Sequence, residues 1–242
     1  MLEVNRIKFQ ESVIRWYKKY GRHGLSWRKT KDPYLVLVAE ILLRRTGAWK
    51  AEEVYKKIVL KCRSIKSLSS ADVTELKKLI NPLGLLNRAE LLINISKEVM
   101  NRFDGKIPSN YDDLVSIRGI GQYIANSILC FGYNLRVPIV DESVKRVISR
   151  CTGYSSKKRA YADTELWSFM SSYLPTKKYV EFNYGLLDIG ATFCKPTKPD
   201  CKDCPLKDLC LFCNAITRKP SVAMKEPSPT LTCISGMSVY TG

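Results

Sequence analysis

Four cysteines fall within seventeen residues of the chain, in CKPTKPDCKDCPLKDLC, at Cys194, Cys201, Cys204 and Cys210. Nothing else in the sequence constrains folding as tightly. A loop this short cannot keep four thiolates together unless a cation neutralises them, so the surrounding fold must wrap one loop around one centre. Zinc sites usually take two close pairs separated by a longer stretch. Here the spacing is C-x6-C-x2-C-x5-C, with one close pair and a single tight wrap, which suits a cubane-type 4Fe-4S cluster. Zinc, or a loop without metal, is the alternative. Lys195, Lys198, Lys202 and Lys207 interleave with the cysteines. The centre therefore reads as structural, holding a loop whose ammonium groups face phosphate. Cys213 is a spare, and Cys62, Cys130 and Cys151 lie in apolar helical patterns as core residues.

The remainder of the chain reads as helix. The 242 residues contain nine cysteines and one histidine. The odd cysteine count and the absence of an apolar signal core point to reduced thiols inside a cell. His23 alone cannot build a two-histidine metal site. Asp32-Pro33 reads as an N-cap and first helical residue, opening a helix over 34–46. Further helices are expected over 49–62, from a Ser69 or Ser70 cap through Ile80, over 87–103, from Tyr111, over 142–151 with Gly153 as its stop, and over 162–173 and 178–189. No run of alternating strands is present. The expected fold is all-α, with a tail of little fixed structure over 214–242.

Net charge narrows the partner. Forty Lys and Arg against 23 Asp and Glu leave +17, and phosphate-rich nucleic acid is the polyanion that such a balance fits. No apolar stretch is long enough to cross a membrane. The segment LVSIRGIGQYIANSILCFGYNLRVPIVDESVKRVISR, from Leu114 to Arg150, then supplies a Gly119-Ile120-Gly121 turn between two helices and a lone acid, Asp141, after Val-Pro-Ile-Val. Glycines let a backbone approach a ligand closely, and the unpaired N–H groups of the following helix, from Gln122, can receive a phosphate. Taken alone, the turn fits a plain helix–helix connection equally well, and Asp141 fits a helix cap.

The hairpin, the acid twenty residues after Gly121 and the four-cysteine loop occur in an order that resembles the helix-hairpin-helix DNA glycosylase superfamily, which includes endonuclease III and the mismatch-specific adenine glycosylases. WRKTKDPYLVLVAEILLRRTGA and PLGLLNRAELL are similar to segments of the archaeal thymine-DNA mismatch glycosylases. The resemblance spans about residues 25–213. It implies two helical lobes with the active site in the cleft between them: a six-helix barrel lobe with the hairpin over 29–135, and a 4Fe-4S lobe from 1–28 plus 136–213. It also implies a flipped target nucleotide, since a base cannot react inside the stack and a mismatched base is easier to extract.

On that resemblance Asp141 takes the catalytic position, where a carboxylate stabilises the oxocarbenium-like sugar and orients water. Glu40 belongs to the base pocket, against the simpler reading of an ion pair with Arg44 at i+4. Tyr123 stands where strand-cleaving relatives carry a lysine that forms a Schiff base. A phenol cannot form that imine, so base removal without β-elimination is expected. Ser143 replaces the asparagine found in many relatives. Lys145 and Arg146 follow, and at least one of them is expected to face phosphate. Gly119, Gly121 and Gln122 would hold the strand. Arg45 would read the widowed base, and Leu85 or Leu86 would wedge into the gap.

The leading substrate is thymine or uracil opposite guanine in mismatched double-stranded DNA. The alternatives are adenine opposite 8-oxoguanine or guanine, and a non-catalytic DNA-binding module. Adenine enzymes tend to carry Gln-Gln-Thr where this chain has Arg44-Arg45-Thr46. They also add a second domain, which the residues after Cys213 are too few to form. The resemblance further implies a monomer in the cytoplasm of a prokaryote, close to its nucleoid.

Overall fold

The computed structural model describes residues 6–217, and among these every regular element is helical. The helices are α1 (Arg6–Tyr20), α2 (Pro33–Leu43), α3 (Ala48–Lys61), α4 (Ile65–Ser69), α5 (Val73–Ile80), α6 (Asn87–Phe103), α7 (Tyr111–Ser116), α8 (Gln122–Ser127), α9 (Glu142–Thr152), α10 (Thr164–Tyr173), α11 (Tyr179–Thr192) and α12 (Leu211–Thr217). None is long and apolar enough to cross a membrane. Residues 214–217 of the expected tail belong to α12, and 218–242 lie outside the described residues.

Local chemistry accounts for most helix ends. The Asp32 carboxylate accepts from Tyr34 N at 2.8 Å and Pro33 occupies the first turn. Gly153 closes α9 at φ +78°, a left-handed conformation open to glycine without steric cost. Two expectations need correction. The helix over 34–46 stops at Leu43, because the backbone leaves helical geometry at Arg44 (ψ 110°) and turns left-handed at Arg45 (φ +58°), with Arg44 O and the Thr46 hydroxyl accepting from Arg88 instead. Ser69 and Ser70 do not start α5. Asp72 does, accepting from Glu75 N at 2.8 Å, while Ser69 ends the short α4, which Ser64 and Ser67 cap reciprocally.

Buried apolar residues form two clusters, one per lobe. The first gathers α2 to α8, with Trp27 and Ile139 at its edges. The second gathers Phe9 and Val13 of α1 with residues from Val140 through α9, α10 and α11 to Cys213. The boundary between clusters thus falls at Ile139–Val140, immediately before Asp141. Two joints set how the elements around that boundary sit. Behind α8 the chain makes a π-helical turn, Ile128–Gly132, and a Cβ on Gly132 would lie 2.8 Å from Pro33 Cα at the start of α2. Between α1 and α11, the fully buried Asp188 accepts from both terminal nitrogens of Arg28, at 2.6 and 2.7 Å, and from Arg22 N at 2.9 Å and Nε at 2.5 Å.

Candidate active site

Asp141 is delivered by an extended segment whose backbone is held by two buried asparagines. Asn126 of α8 donates to Pro138 O at 2.9 Å. Asn183 of α11 donates to Val137 O at 3.0 Å and accepts from Ile139 N at 3.2 Å. At the end of this segment Asp141 caps α9. Its Oδ1 accepts from Val144 N and from the Ser143 hydroxyl, both at 2.7 Å. The cap and the cleft position are therefore the same residue: both bonds fall on one oxygen, and Asp141 lines a cavity of about 450 Å³.

That cavity brings together Asp141, Glu40, Tyr123, Ser143 and Arg45, with Arg28 and Tyr184 on its wall, and among the described residues no lysine lines it. Glu40 is 7% exposed, and no ion pair to Arg44 forms, since α2 ends between them. Burial pushes its carboxyl up to about 7, and the Asp141 charge pushes the same way. The Ser127 and Tyr123 hydroxyls and Arg28 only partly offset this. Ser127 Oγ, although buried beside it, closes no hydrogen bond of normal geometry. Both protonation states of Glu40 are thus available near neutrality. Burial, then the Glu40 and Asp141 charges, hold the Tyr123 phenol well above its ordinary value, so it remains a donor.

The hairpin leads directly into Tyr123 and Ile124 on the wall of this cleft. Gly119 adopts φ +101°, and a Cβ there would meet Leu91 Cδ1 at 2.5 Å. Gly121 is exposed with open space where a side chain would project, and Gln122 is the first residue of α8. Of two further loops, the one carrying Arg45 lines the cleft. Arg45 (φ +58°) and Leu85 (φ +52°) are both left-handed non-glycine residues, a conformation costing roughly 1–3 kcal/mol each unless the surroundings impose it. Leu85 and Leu86 are 45% and 40% exposed. Such exposure for adjacent leucines marks a contact surface.

One pair departs from expectation. Lys145 is buried, and its ammonium binds Asp163 Oδ2 at 2.8 Å and Lys158 O, so it does not face phosphate. Against the upward push of burial, the bonds from Lys145 and Tyr154 hold the Asp163 carboxyl far below its ordinary value. Arg146 gives its guanidinium to Cys194 O at 2.6 Å and Gly190 O at 3.2 Å, fastening the cysteine loop to α9. Arg88, Asn126, Asn183 and the Arg28–Asp188 pair were missed by sequence reasoning. Their partners lie 12 to 160 positions away, and only the buried Asn and Arg in otherwise apolar helix faces hinted at them.

Cys194, Cys201, Cys204 and Cys210 line one pocket walled by Val147, Ile189, Phe193, Leu206 and Phe212, and all four are free thiols. Among the described residues no three Cys, His, Asp or Glu side chains converge on a single-ion point. Four thiols in one loop are the donor set that an iron–sulfur cluster or a zinc ion takes, and Cys151 and Cys213 line the same pocket. The thiols differ in how readily they ionise. Burial pushes Cys204 up to about 12, whereas a hydrogen bond from Cys151, with backbone N–H groups of Cys213 and Phe212, brings Cys210 down to about 6. Arg150 Nη1 lies 3.4 Å from Cys194 Sγ, and its two terminal nitrogens bind Lys195 O and Pro196 O at 2.7 and 3.0 Å. Lys195, Lys198, Lys202 and Lys207 are exposed.

Two helical lobes, a glycine hairpin and a pair of acids in one cavity define a protein of DNA base excision. The chain belongs to the HhH-GPD superfamily of base excision DNA repair proteins, which matches residues 38–171. It is 39% identical over 214 residues to the thymine/uracil-DNA glycosylase of Pyrobaculum aerophilum, covering 86% of this chain and 93% of that protein. It is 37% identical to the thymine-DNA glycosylase of Aeropyrum pernix, covering 88% and 98%. The solved structure of a thermostable thymine-DNA glycosylase superposes with a TM-score of 0.80 at 32% identity, covering 87% and 97%.

Proposed function

We propose that the protein is a monofunctional DNA glycosylase that hydrolyses the N-glycosidic bond of thymine or uracil mispaired with guanine in duplex DNA, acting as a monomer. The observation that carries this reading is one cavity holding Asp141, Glu40 and Tyr123 with no lysine among the described residues of its wall. The mispaired nucleotide swings out of the stack into the cavity. Water adds to C1′ as the C1′–N1 bond breaks; the electron pair leaves with the base, and the water proton passes to Asp141 or solvent. Asp141, steadied on Oδ1 by Ser143 and Val144 N, stabilises the positive charge that develops on the sugar. Glu40 near neutrality donates a hydrogen bond to a pyrimidine carbonyl in its acid form, or orders water in its ionised form. Tyr123 donates beside the sugar and cannot form an imine.

Gly119, Gly121 and Gln122 hold the backbone, Leu85 and Leu86 enter the vacated space, and Arg45 meets the orphan base. The lobes divide as 29–135 and 1–28 plus 136–213. Cys194, Cys201, Cys204 and Cys210 hold a 4Fe-4S cluster, which supplies charge neutralisation and an anchor for the lysine-bearing loop. Duplexes carrying T·G, U·G, A·G and A opposite 8-oxoguanine test the assignment, scored for abasic sites with and without alkali. Pyrimidine release opposite G is expected. Adenine release, or breaks without alkali that borohydride traps, would overturn it.

A further inference from the structure

We propose that Arg88 is a positioning residue that locks the 44–47 loop and the 84–87 loop into a single reading head, so that selection of the base opposite the target depends on both loops together. This rests on the glycosylase reading above. Arg88 is the second residue of α6, one turn after Leu85, whose carbonyl its own N–H meets at 3.1 Å. Its side chain crosses to the other loop, where Nη2 binds Arg44 O and the Thr46 hydroxyl, the latter at 2.7 Å. Arg45, between those two acceptors and on the cleft wall, and Leu85, at the origin of the crossing, are both left-handed non-glycine residues. One residue therefore ties the two loops: its guanidinium holds Arg44 O and Thr46, and its own N–H holds Leu85 O.

Fold stability alone does not account for this residue. Arg88 is 3% exposed, no carboxylate among the described residues pairs with it, and its Nε and Nη1 have no hydrogen-bond partner there. A half-satisfied buried cation is a poor stabiliser compared with an apolar side chain of similar volume. What it provides is geometry: a planar fork whose reach sets the separation of two loops. A mobile pair of loops would let Leu85 enter a duplex irrespective of what Arg45 meets; a locked pair lets a wrong base at Arg45 hold Leu85 out.

The test uses binding to duplexes carrying a tetrahydrofuran abasic analogue opposite G or opposite A, measured by fluorescence anisotropy, so it does not depend on catalysis. Wild type is expected to prefer the G-opposed duplex. Arg88→Ala should reduce that preference about tenfold, the scale of one lost specific base contact. Thr46→Val, which removes one surface acceptor and leaves the fold intact by melting temperature, should reduce it several-fold. Arg88→Lys, reaching one acceptor, should recover part of it. Leu85→Ala added to Arg88→Ala should cause no further loss, because both act through one device. Unchanged preference in Thr46→Val, losses that multiply in the double variant, or no preference in wild type would each overturn the proposal. A wild type that prefers G yet releases no base would instead defeat the glycosylase reading.

Discussion

Two buried acids stand on opposite sides of Arg28, and they behave in opposite ways. Asp188, fully buried in the strut behind the cleft, is surrounded by Arg28 and Arg22; against the push of burial, these cations hold its carboxyl below its ordinary value. Glu40, on the cleft floor, is almost as deeply buried but has no cation within ion-pair distance among the described residues, and its carboxyl rises to about 7. Depth alone therefore does not decide the state of a carboxyl; the partners supplied to it do. The strut is satisfied, and so it ties the segment after α1 firmly to α11. The floor is left unsatisfied, a state that is costly for stability and useful for handling protons.

The largest expected effect comes from Asp141→Asn, which should lower base release on the order of 10²–10³-fold while leaving DNA affinity and melting temperature close to wild type. Equal rates in the two proteins would erase the distinction between floor and strut. Asp188→Asn should do the reverse. It strands Arg28 and Arg22 and should cost about 3–5 kcal/mol in urea unfolding, with release per folded molecule maintained. The Asp188 contribution is present above its unfolded value of 3.8 and disappears as pH falls through the lower folded value. A slowed reaction with an unchanged unfolding midpoint would break the comparison from the other side.

Glu40 should titrate in the opposite sense. Between its ordinary 4.5 and about 7 the folded chain retains a proton that the unfolded chain has released, so stability falls as pH rises through that window. The loss is on the order of 3 kcal/mol. Glu40→Gln should flatten that slope in melts taken from pH 4.5 to 8 and remove any decline of base release above about pH 7. The smallest effect is expected from Ser143→Ala. It removes one of two bonds to Asp141 Oδ1, worth about 1 kcal/mol, and should slow release several-fold with no change in cofactor content or fold.

Legibility in the sequence followed the distance over which each interaction acts. Asp32-Pro33, Gly153 and the Gly119–Gly121 turn carry their geometry in adjacent residues, and each sits where the pattern places it. Asp141, Glu40 and Tyr123 were singled out by motif order and resemblance, and the fold brings them to one cavity. Lys145 was misread because a lysine beside a functional acid looks like a phosphate contact. Its partner, Asp163, is eighteen residues away and nothing local advertises it. Arg88 drew no reading from the sequence, because its partners, Arg44 O and Thr46, lie 44 and 42 positions away. Among Ser69, Ser70 and Asp72, only the register of the finished helix decides which one caps it.

The contact between Gly132 and Pro33 has a mechanical consequence. Any side chain at 132 would prise α2 from the end of α8, so the helix bearing Glu40 and the helix bearing Tyr123 are welded at one end and share a single jaw of a vice. Asp141 rides on the other jaw, built on the second cluster. That other jaw is itself tethered, since Asn126 of α8 grips Pro138 O on the segment leading to Asp141, so the three side chains keep their spacing with little slack.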